Sequence, residues 1–166
     1  MRLTITGTPG TGKTTVSGEL EGQGFNVVHL TEFLENHNVG EAVNGERDVP
    51  VDEMVSVFEK QDFDENIVVE GHLSHHISSD VCVVLRCRPD VLEERLSGRD
   101  YPDEKIRENV EAEKMDLILS EAVQNQETVF EIDTTEKSVD EVIDEIKDAV
   151  ENKKERTGVV DWTGFL

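Results

Sequence analysis

Cysteine, aromatic side chains and basic side chains are all scarce in this chain of 166 residues. It has two cysteines, 5% aromatic residues, and 16 lysines and arginines against 38 aspartates and glutamates. Cys82 stands inside the apolar run VCVVL, close to Cys87. We therefore expect reduced, buried thiols rather than a disulfide or a cysteine metal centre.

Long apolar runs are also missing. No run approaches the ~20 residues of a membrane-spanning helix, and no basic segment followed by an apolar one opens the chain. These absences predict a cytoplasmic protein with no membrane partner. The length fits one domain with one hydrophobic core.

The acidic excess gives a formal net charge of −22. A chain with this charge repels itself at low ionic strength, so we hypothesise a cytoplasm of high salt concentration. The net charge disfavours non-specific nucleic-acid binding, since that affinity comes largely from neutralising phosphates, and direct sequence-specific binding is not expected either. Basic residues are nevertheless concentrated in one stretch: Arg86, Arg88, Arg95, Arg99, Lys105 and Arg107. A cluster of this kind in an acidic chain indicates a phosphate-facing surface.

Residues 7–15 read GTPGTGKTT and fit the phosphate-binding P-loop pattern G-x-x-x-x-G-K-[ST]. Gly10 and Gly12 allow backbone conformations in which successive amides point at an anion. Lys13 supplies a charge between the β- and γ-phosphates, and the Thr14 hydroxyl is placed to bind Mg²⁺. An apolar run at 2–6 precedes the loop and a helical pattern follows it, as this motif requires. The sequence predicts a nucleoside triphosphate site.

Five runs predict β-strands, at residues 2–6, 26–29, 67–70, 81–85 and 128–132. Helical patterns separate them: residues 89–97, a long pattern from about Pro102 to Gln124, and a last helix that Ser138 and Glu141 begin with a capping box. Apolar strands alternating with helices indicate an α/β fold, with a parallel sheet covered by helices on both faces.

Ligands of such sheets bind at the carboxyl ends of the strands. Glu70 ends the third predicted strand, where an acidic residue beside a P-loop contacts Mg²⁺ or its water shell. His72, two residues further on, is a candidate for a phosphate or water contact. His72, His75 and His76 form a spacing that could bind a transition metal, but no further ligand is evident and a metal is the less favoured interpretation.

Arginines follow the fourth predicted strand. Arg86 stands at its end, Arg95 on the next helix, and Arg99 in a short charged connection that contains Gly98. Such a connection is typical of a mobile lid, whose arginines would neutralise a transferred phosphoryl group and exclude water.

These motifs together resemble the adenylate kinase family, and within it the small branch of adenylate kinase isoenzyme 6 and its archaeal relatives. The resemblance covers about residues 1–150 and depends on GTPGTGKTT, on VVEGH, and on VLRCRPDVLEERLSGRDYPDEKIRENVEAE. It implies a P-loop fold with a five-stranded parallel sheet, a segment that binds a nucleoside monophosphate near residues 30–53, and a short lid near 99–109. Residues 151–166 form a polar and aromatic tail outside it.

The resemblance also implies an activity: transfer of the ATP γ-phosphoryl group to AMP or another nucleoside monophosphate, with Mg²⁺. Residues that would hold ATP are Gly10, Thr11, Gly12, Lys13, Thr14, Thr15 and, from the lid, Arg99. Lys13, Arg99, Arg86 and His72 are the catalytic candidates, and Thr14 and Glu70 the metal ligands. This branch is further credited with ATPase activity and with maturation of the small ribosomal subunit through a ribosomal protein.

Two departures from the branch pattern stand out. Glu70 replaces an aspartate, and Asn44 stands where an arginine is expected in the acceptor segment, which leaves Arg47 as its one arginine. Two alternative functions remain open: an ATPase assembly factor with little kinase activity, and another small P-loop kinase such as a shikimate or gluconate kinase. For the tail, which holds Trp162, docking of a partner and packing on its own domain both remain open.

Overall fold

The computed structural model describes residues 1–43 and 46–166. Its seven strands and seven α-helices are, in chain order, β1 Arg2–Gly7, α1 Lys13–Gly22, β2 Val27–His29, α2 Leu30–Asn36, β3 Glu41–Val43, β4 Glu46–Asp48, α3 Val51–Glu59, β5 Ile67–Glu70, β6 Val81–Arg86, α4 Pro89–Ser97, α5 Asp103–Lys114, α6 Leu117–Asn125, β7 Val129–Asp133 and α7 Val139–Asn152. Two 3₁₀ turns, Ser74–His76 and Thr163–Phe165, complete the described elements.

Five strands form one parallel sheet in the order β2-β5-β1-β6-β7. The sequence-based prediction of the sheet is thereby confirmed, with strand ends within about one residue of those expected. Because β1 is central and β5 and β6 flank it, the loops after these three strands lie together at one edge. This edge carries the P-loop, Glu70 and the end of β6.

Both faces of the sheet are buried, which explains the uninterrupted apolar strands. In β6, Val81, Val83 and Leu85 point to the core beneath α1 and α7, whereas Cys82 and Val84 pack under α6 on the opposite face. Both cysteines are free and buried, as expected from their apolar setting.

Helix α7 begins as the sequence predicts. The Ser138 hydroxyl accepts a hydrogen bond from the Glu141 amide at 3.2 Å, and the Glu141 carboxylate accepts one from the Ser138 amide. Val142, Ile143 and Ile146 then bury one apolar face of the helix against the sheet. A capped, amphipathic helix of this kind is stabilised mainly by that burial.

The long helix predicted from Pro102 to Gln124 is wrong as one piece. It breaks at Asp116, whose backbone is left-handed with φ 53°, so that α5 ends at Lys114 and α6 begins at Leu117. Aspartate tolerates this conformation better than most side chains do. Its carboxylate binds Arg86 at 2.5 Å, and this contact across the fold fixes the change of direction.

The segment predicted to bind an acceptor, near residues 30–53, consists of α2, the paired strands β3 and β4 and the start of α3. The two strands are antiparallel, with Ala42 opposite Arg47. Asn44, where the sequence lacks an expected arginine, lies outside the described residues. No helix in the described part of the chain combines the length and the apolar character that crossing a bilayer requires.

Candidate active site around the P-loop

The P-loop connects β1 to α1 and has the backbone that its glycines predict. Gly10 and Gly12 have φ angles of 93° and 108°, which residues with a Cβ rarely adopt. Gly10 is also packed closely, because a Cβ there would lie 2.8 Å from Leu92 Cδ1 and 3.0 Å from Leu96 Cδ2 of α4. The loop therefore lies directly on the helix that leads into the predicted lid.

Lys13 opens α1 and lies under the loop. Its side chain is buried and its Nζ donates to the Thr8 carbonyl at 3.1 Å. Burial lowers the pKa of Lys13 to about 8, the Glu70 carboxylate opposes this shift, and the Arg99 guanidinium adds to it. A bound phosphate would restore the full positive charge, because an anion next to an ammonium favours its protonated form.

Glu70 ends β5 and is oriented by a residue that the sequence did not single out. His29 ends the neighbouring strand β2, directly opposite Glu70 in the sheet register. His29 Nδ1 and Glu70 Oε2 are 3.0 Å apart, and this hydrogen bond, together with Glu21 at 3.6 Å, raises the pKa of His29. The strand end was a signal that could have identified His29, since parallel strands bring their carboxyl ends together.

Three of the concave regions formed by the described residues border the loop. The central pocket, of about 160 Å³, is lined by seven residues that the sequence predicts as site residues and by four others. The predicted ones are Gly10, Gly12, Lys13, Thr14, Glu70, His72 and Arg99, and the others are Pro9, Thr31, Gly71 and Tyr101. The structure thus brings the P-loop lysine, the acidic strand end and the lid arginine together.

The first cleft, of about 340 Å³, lies on the α7 side of the loop. It is lined by Thr11, Thr15, Arg95, Arg99 and Thr134, with Val139 and Val142 as its apolar wall. Arg95 donates to the Gly10 carbonyl at 3.3 Å and to the Thr134 carbonyl at 3.2 Å, which holds α4 against the loop.

The second cleft, of about 560 Å³, lies on the opposite side, between α2 and α5. Leu30, Leu34 and Val49 give it an apolar wall. Its charged lining residues are Arg47, Lys105, Glu35, Glu108 and Glu121. Arg47 Nη1 donates to the Val39 and Gly40 carbonyls at 2.8 and 3.2 Å, so its position is fixed at the cleft wall.

Asn109 of α5 lines the same cleft and carries an orphaned donor. Its Nδ2 atom is buried and has no hydrogen-bond partner within the described residues. A buried amide without a partner costs about 1–3 kcal/mol, so a site that leaves one beside a cleft is suited to a ligand acceptor.

The structure places Arg86 away from the phosphate site, so the prediction that it contacts a phosphate is wrong for this arrangement. Arg86 is 1% exposed, with Nε 2.7 Å from Glu113, Nη1 2.6 Å from Glu131 and Nη2 2.5 Å from Asp116. All three nitrogens of the guanidinium already have carboxylate partners. Its charge acts inside the fold, where it compensates buried acids.

Glu113 joins this network to the P-loop. Besides Arg86, it accepts hydrogen bonds from the Thr8 hydroxyl at 2.7 Å and from the Cys87 amide at 3.2 Å. Since the Thr8 carbonyl also accepts the bond from Lys13, a single residue separates Glu113 from the P-loop lysine.

The tail returns to its own domain. Arg156 pairs with β7, the Val159 amide donates to Glu131 at 2.8 Å, and Trp162 Nε1 donates to Glu113 at 3.2 Å. Trp162 is 7% exposed, so its indole is not presented as a docking surface for a partner. It completes the buried network instead.

Comparison with known protein sequences gives matches along the whole chain. A family described as "AAA domain" matches residues 3–116. A "Putative adenylate kinase" of Thermococcus gammatolerans is 47% identical over 98% of this chain and 93% of its own length. Proteins of the same name from Pyrococcus abyssi and Natronomonas pharaonis are 46% and 41% identical, and the latter match spans both chains completely.

Solved structures with a similar fold are also kinases by name. A deoxyadenosine kinase from M. mycoides with bound dATP has a TM-score of 0.58 and 16% identity, covering 91% of this chain and all of its own. A shikimate kinase from Bacteroides thetaiotaomicron has a TM-score of 0.55 and 17% identity, covering 91% of this chain and 98% of its own. At these identities the likeness establishes the P-loop kinase fold.

Proposed function

The chain belongs to the family of the archaeal proteins named "Putative adenylate kinase", and from this we propose that it transfers the γ-phosphoryl group of ATP to AMP or another nucleoside monophosphate. The observation that carries the proposal is the position of Lys13. It lies in a pocket between two clefts, so that a triphosphate entering from one side would present its last phosphate to a ligand in the other.

ATP is proposed to occupy the first cleft, with its phosphates on the P-loop amides and on Lys13. The positive end of α1 favours the β-phosphate at this place. Arg99 supports the assignment because it borders both the first cleft and the central pocket. Thr11 and Thr15 lie on the same side and are proposed as further phosphate and ribose contacts.

Mg²⁺ is proposed as the accompanying cation, held by Thr14 and Glu70. The residues present fit this ion, because Mg²⁺ prefers oxygen ligands and retains several waters. Glu70 is pulled towards His29 and carries one methylene more than aspartate, which favours contact through water. When bound, Mg²⁺ would neutralise charge on the β- and γ-phosphates.

The acceptor is proposed to occupy the second cleft. Its base would pack against the wall of Leu30 and Leu34, and its phosphate would be attracted by Arg47 and Lys105. The orphaned Nδ2 of Asn109 would donate to it. His72, exposed in the central pocket, would contact the transferred group from the acceptor side.

In the proposed reaction an acceptor phosphate oxygen attacks the γ-phosphorus in line, the bond to the β–γ bridging oxygen breaks, and ADP leaves. This chemistry needs positioning and charge neutralisation rather than covalent help. Lys13 and, after closure of the lid, Arg99 would neutralise the transferred group, while Tyr101 at the start of the lid would help to exclude water.

A second candidate activity is hydrolysis of ATP in the service of small-ribosomal-subunit maturation, with a ribosomal protein as partner. The observation that favours it is the exposure of Arg99 and His72, which leaves the γ-phosphate position open to water when no acceptor is bound. The acidic surface leads us to propose a cytoplasm with molar salt as the working environment for either activity.

The test is an assay in molar KCl with Mg-ATP, with and without AMP, that counts ADP and inorganic phosphate. Kinase activity predicts two ADP for each AMP consumed and little inorganic phosphate. ADP formation at the same rate without AMP would instead show that water accepts the γ-phosphoryl group, and this would favour the assembly-factor hypothesis.

Three variants sharpen the assay. Lys13→Met removes the γ-phosphate contact and should abolish both activities, whereas Arg88→Met, an exposed arginine paired with Asp90, should affect neither. Asn109→Ala should raise the KM for AMP about tenfold, the equivalent of one hydrogen bond, without changing hydrolysis in the absence of AMP. An unchanged KM for AMP would contradict the proposal that the acceptor binds in the second cleft.

A further inference from the structure

A pair of histidines follows β5 and meets a carboxylate of α6. His75 Nε2 lies 2.7 Å and His76 Nε2 3.6 Å from the same oxygen, Glu121 Oε2. One ligand atom from each residue lies within 4.8 Å of the other two, and the imidazole centroids are 4.3 Å apart. The mechanism proposed above uses none of these three side chains.

His75 is oriented from behind. It is fully buried, and its Nδ1 lies 2.8 Å from the Thr6 hydroxyl of β1. Metal-binding imidazoles in proteins usually have a partner on the nitrogen that faces away from the ion, and this partner fixes the ring and its tautomer.

The backbone that carries the histidines is held rigidly. Gln126 Nε2 donates to the His75 and Ile77 carbonyls, both at 2.7 Å, and the Ser74 hydroxyl donates to the Ile5 carbonyl at 2.9 Å. Rigid support of this kind keeps donor atoms in place before a ligand arrives. The third donor, Glu121, projects from a helix rather than from a loop.

We propose that His75 Nε2, His76 Nε2 and the Glu121 carboxylate bind one first-row divalent transition-metal ion such as Zn²⁺. Two imidazoles and one carboxylate suit Zn²⁺, Co²⁺ or Ni²⁺, whereas Mg²⁺ and Ca²⁺ prefer sites made only of oxygen. His76 and Glu121 have side-chain exposures of 16% and 38%, so a fourth position remains open to water.

The sequence offered His72, His75 and His76 as possible metal ligands. The proposed site keeps His75 and His76 but has Glu121 in place of His72. His72 points into the central pocket, while α6 brings Glu121 to the other two from 45 residues further along the chain. An ion here would cross-link the segment after β5 to α6, at the wall of the second cleft that Glu121 also lines.

The experiment is a titration of chelator-treated protein with Co²⁺, in excess Mg²⁺ and without nucleotide, so that the phosphate site is not available to Co²⁺. We expect one equivalent to give visible d–d absorption that Zn²⁺ displaces. His76→Ala and Glu121→Gln should each weaken the affinity by more than about 100-fold, since losing even a supporting contact costs 10–100-fold. Thr6→Val keeps all three ligands and should weaken it by about 10–100-fold.

The matched control is His37→Ala, which removes the histidine that follows α2 and contacts the Phe33 carbonyl of that helix. It should leave both the Co²⁺ spectrum and the affinity unchanged. An absence of binding by the wild-type chain would overturn the proposal, and so would a spectrum that His76→Ala leaves intact. Either result would reduce the cluster to a hydrogen-bond chain from Thr6 through His75 to Glu121.

Discussion

Replacing Arg86 by methionine tests whether this residue supports the fold or the reaction. Arg86 is 1% exposed and bonds to two carboxylates that are themselves buried, Glu113 and Glu131. Removing the guanidinium leaves both acids without their cation in a low-dielectric interior. Breaking a buried pair in this way costs about 3–5 kcal/mol, while methionine fills most of the space of the lost side chain.

The neighbouring arginine supplies the control. Arg88 pairs with Asp90 at the surface, with side-chain exposures of 41% and 54%, and pairs of this kind contribute about 0–1 kcal/mol. Arg88→Met should therefore be close to neutral. A domain is stable by about 5–15 kcal/mol in total, so the two variants should differ visibly in any unfolding measurement.

The assay is urea unfolding at fixed KCl concentration, followed through the fluorescence of Trp162, the chain's only tryptophan. We expect a lower urea midpoint for Arg86→Met at an unchanged slope. Adding Glu131→Gln to Arg86→Met should recover part of the loss, because the second substitution removes one uncompensated charge. The reasoning is refuted if Arg86→Met is as stable as Arg88→Met while phosphoryl transfer falls about 100-fold or more, since loss of a transition-state contact has that size.

Four further outcomes are expected. Arg99→Ala should lower phosphoryl transfer about 100-fold or more without changing stability, because Arg99 is exposed; unchanged turnover would end its lid assignment. Trp162→Phe loses the hydrogen bond to the Glu113 carboxylate and should lower the free energy of unfolding by about 1.5–3 kcal/mol, followed by circular dichroism; an unchanged midpoint would make the contact incidental. The hydrogen bond to Glu70 raises the pKa of His29 above its ordinary 6.5. This pair therefore contributes its full share to the free energy of unfolding below pH 6.5 and loses it as the pH rises through the folded-state pKa. Unfolding measured over a pH series should show this loss in the wild type and not in His29→Gln. Finally, stability should rise with KCl concentration because of the charge of −22, and a flat or falling dependence would contradict the high-salt hypothesis.

The strands and the P-loop could be predicted from the sequence because their signals are local. Apolar runs of the right length mark strands that are buried on both faces, and the loop is defined by glycines and one lysine at fixed spacing. The strand-end rule also located Glu70 correctly at the edge where Lys13 lies.

Arg86 and the break at Asp116 could not be predicted because their causes are distant in the sequence. From the sequence alone, the charge of Arg86 predicts a phosphate contact. Its actual partners are Glu113, Asp116 and Glu131, which lie 27, 30 and 45 residues further along the chain. The apolar spacing from Ile106 to Leu117 fits one helix, and nothing local shows that Asp116 turns away to reach Arg86. Asn109 was missed for a similar reason, since a buried donor without a hydrogen-bond partner can be recognised only when the surrounding atoms are known.

The position of Glu113 sets a limit on rebuilding this protein from parts. The predicted lid at 99–109 invites exchange with lids of other kinases, and α5 continues the lid without interruption to Lys114. A graft that ends before Val110 would leave Glu113 and its bonds to Thr8 and Arg86 in place. A graft that runs to the natural end of α5 would replace Glu113 as well. A residue from another kinase would then stand where Glu113 now bonds to Thr8 of the P-loop.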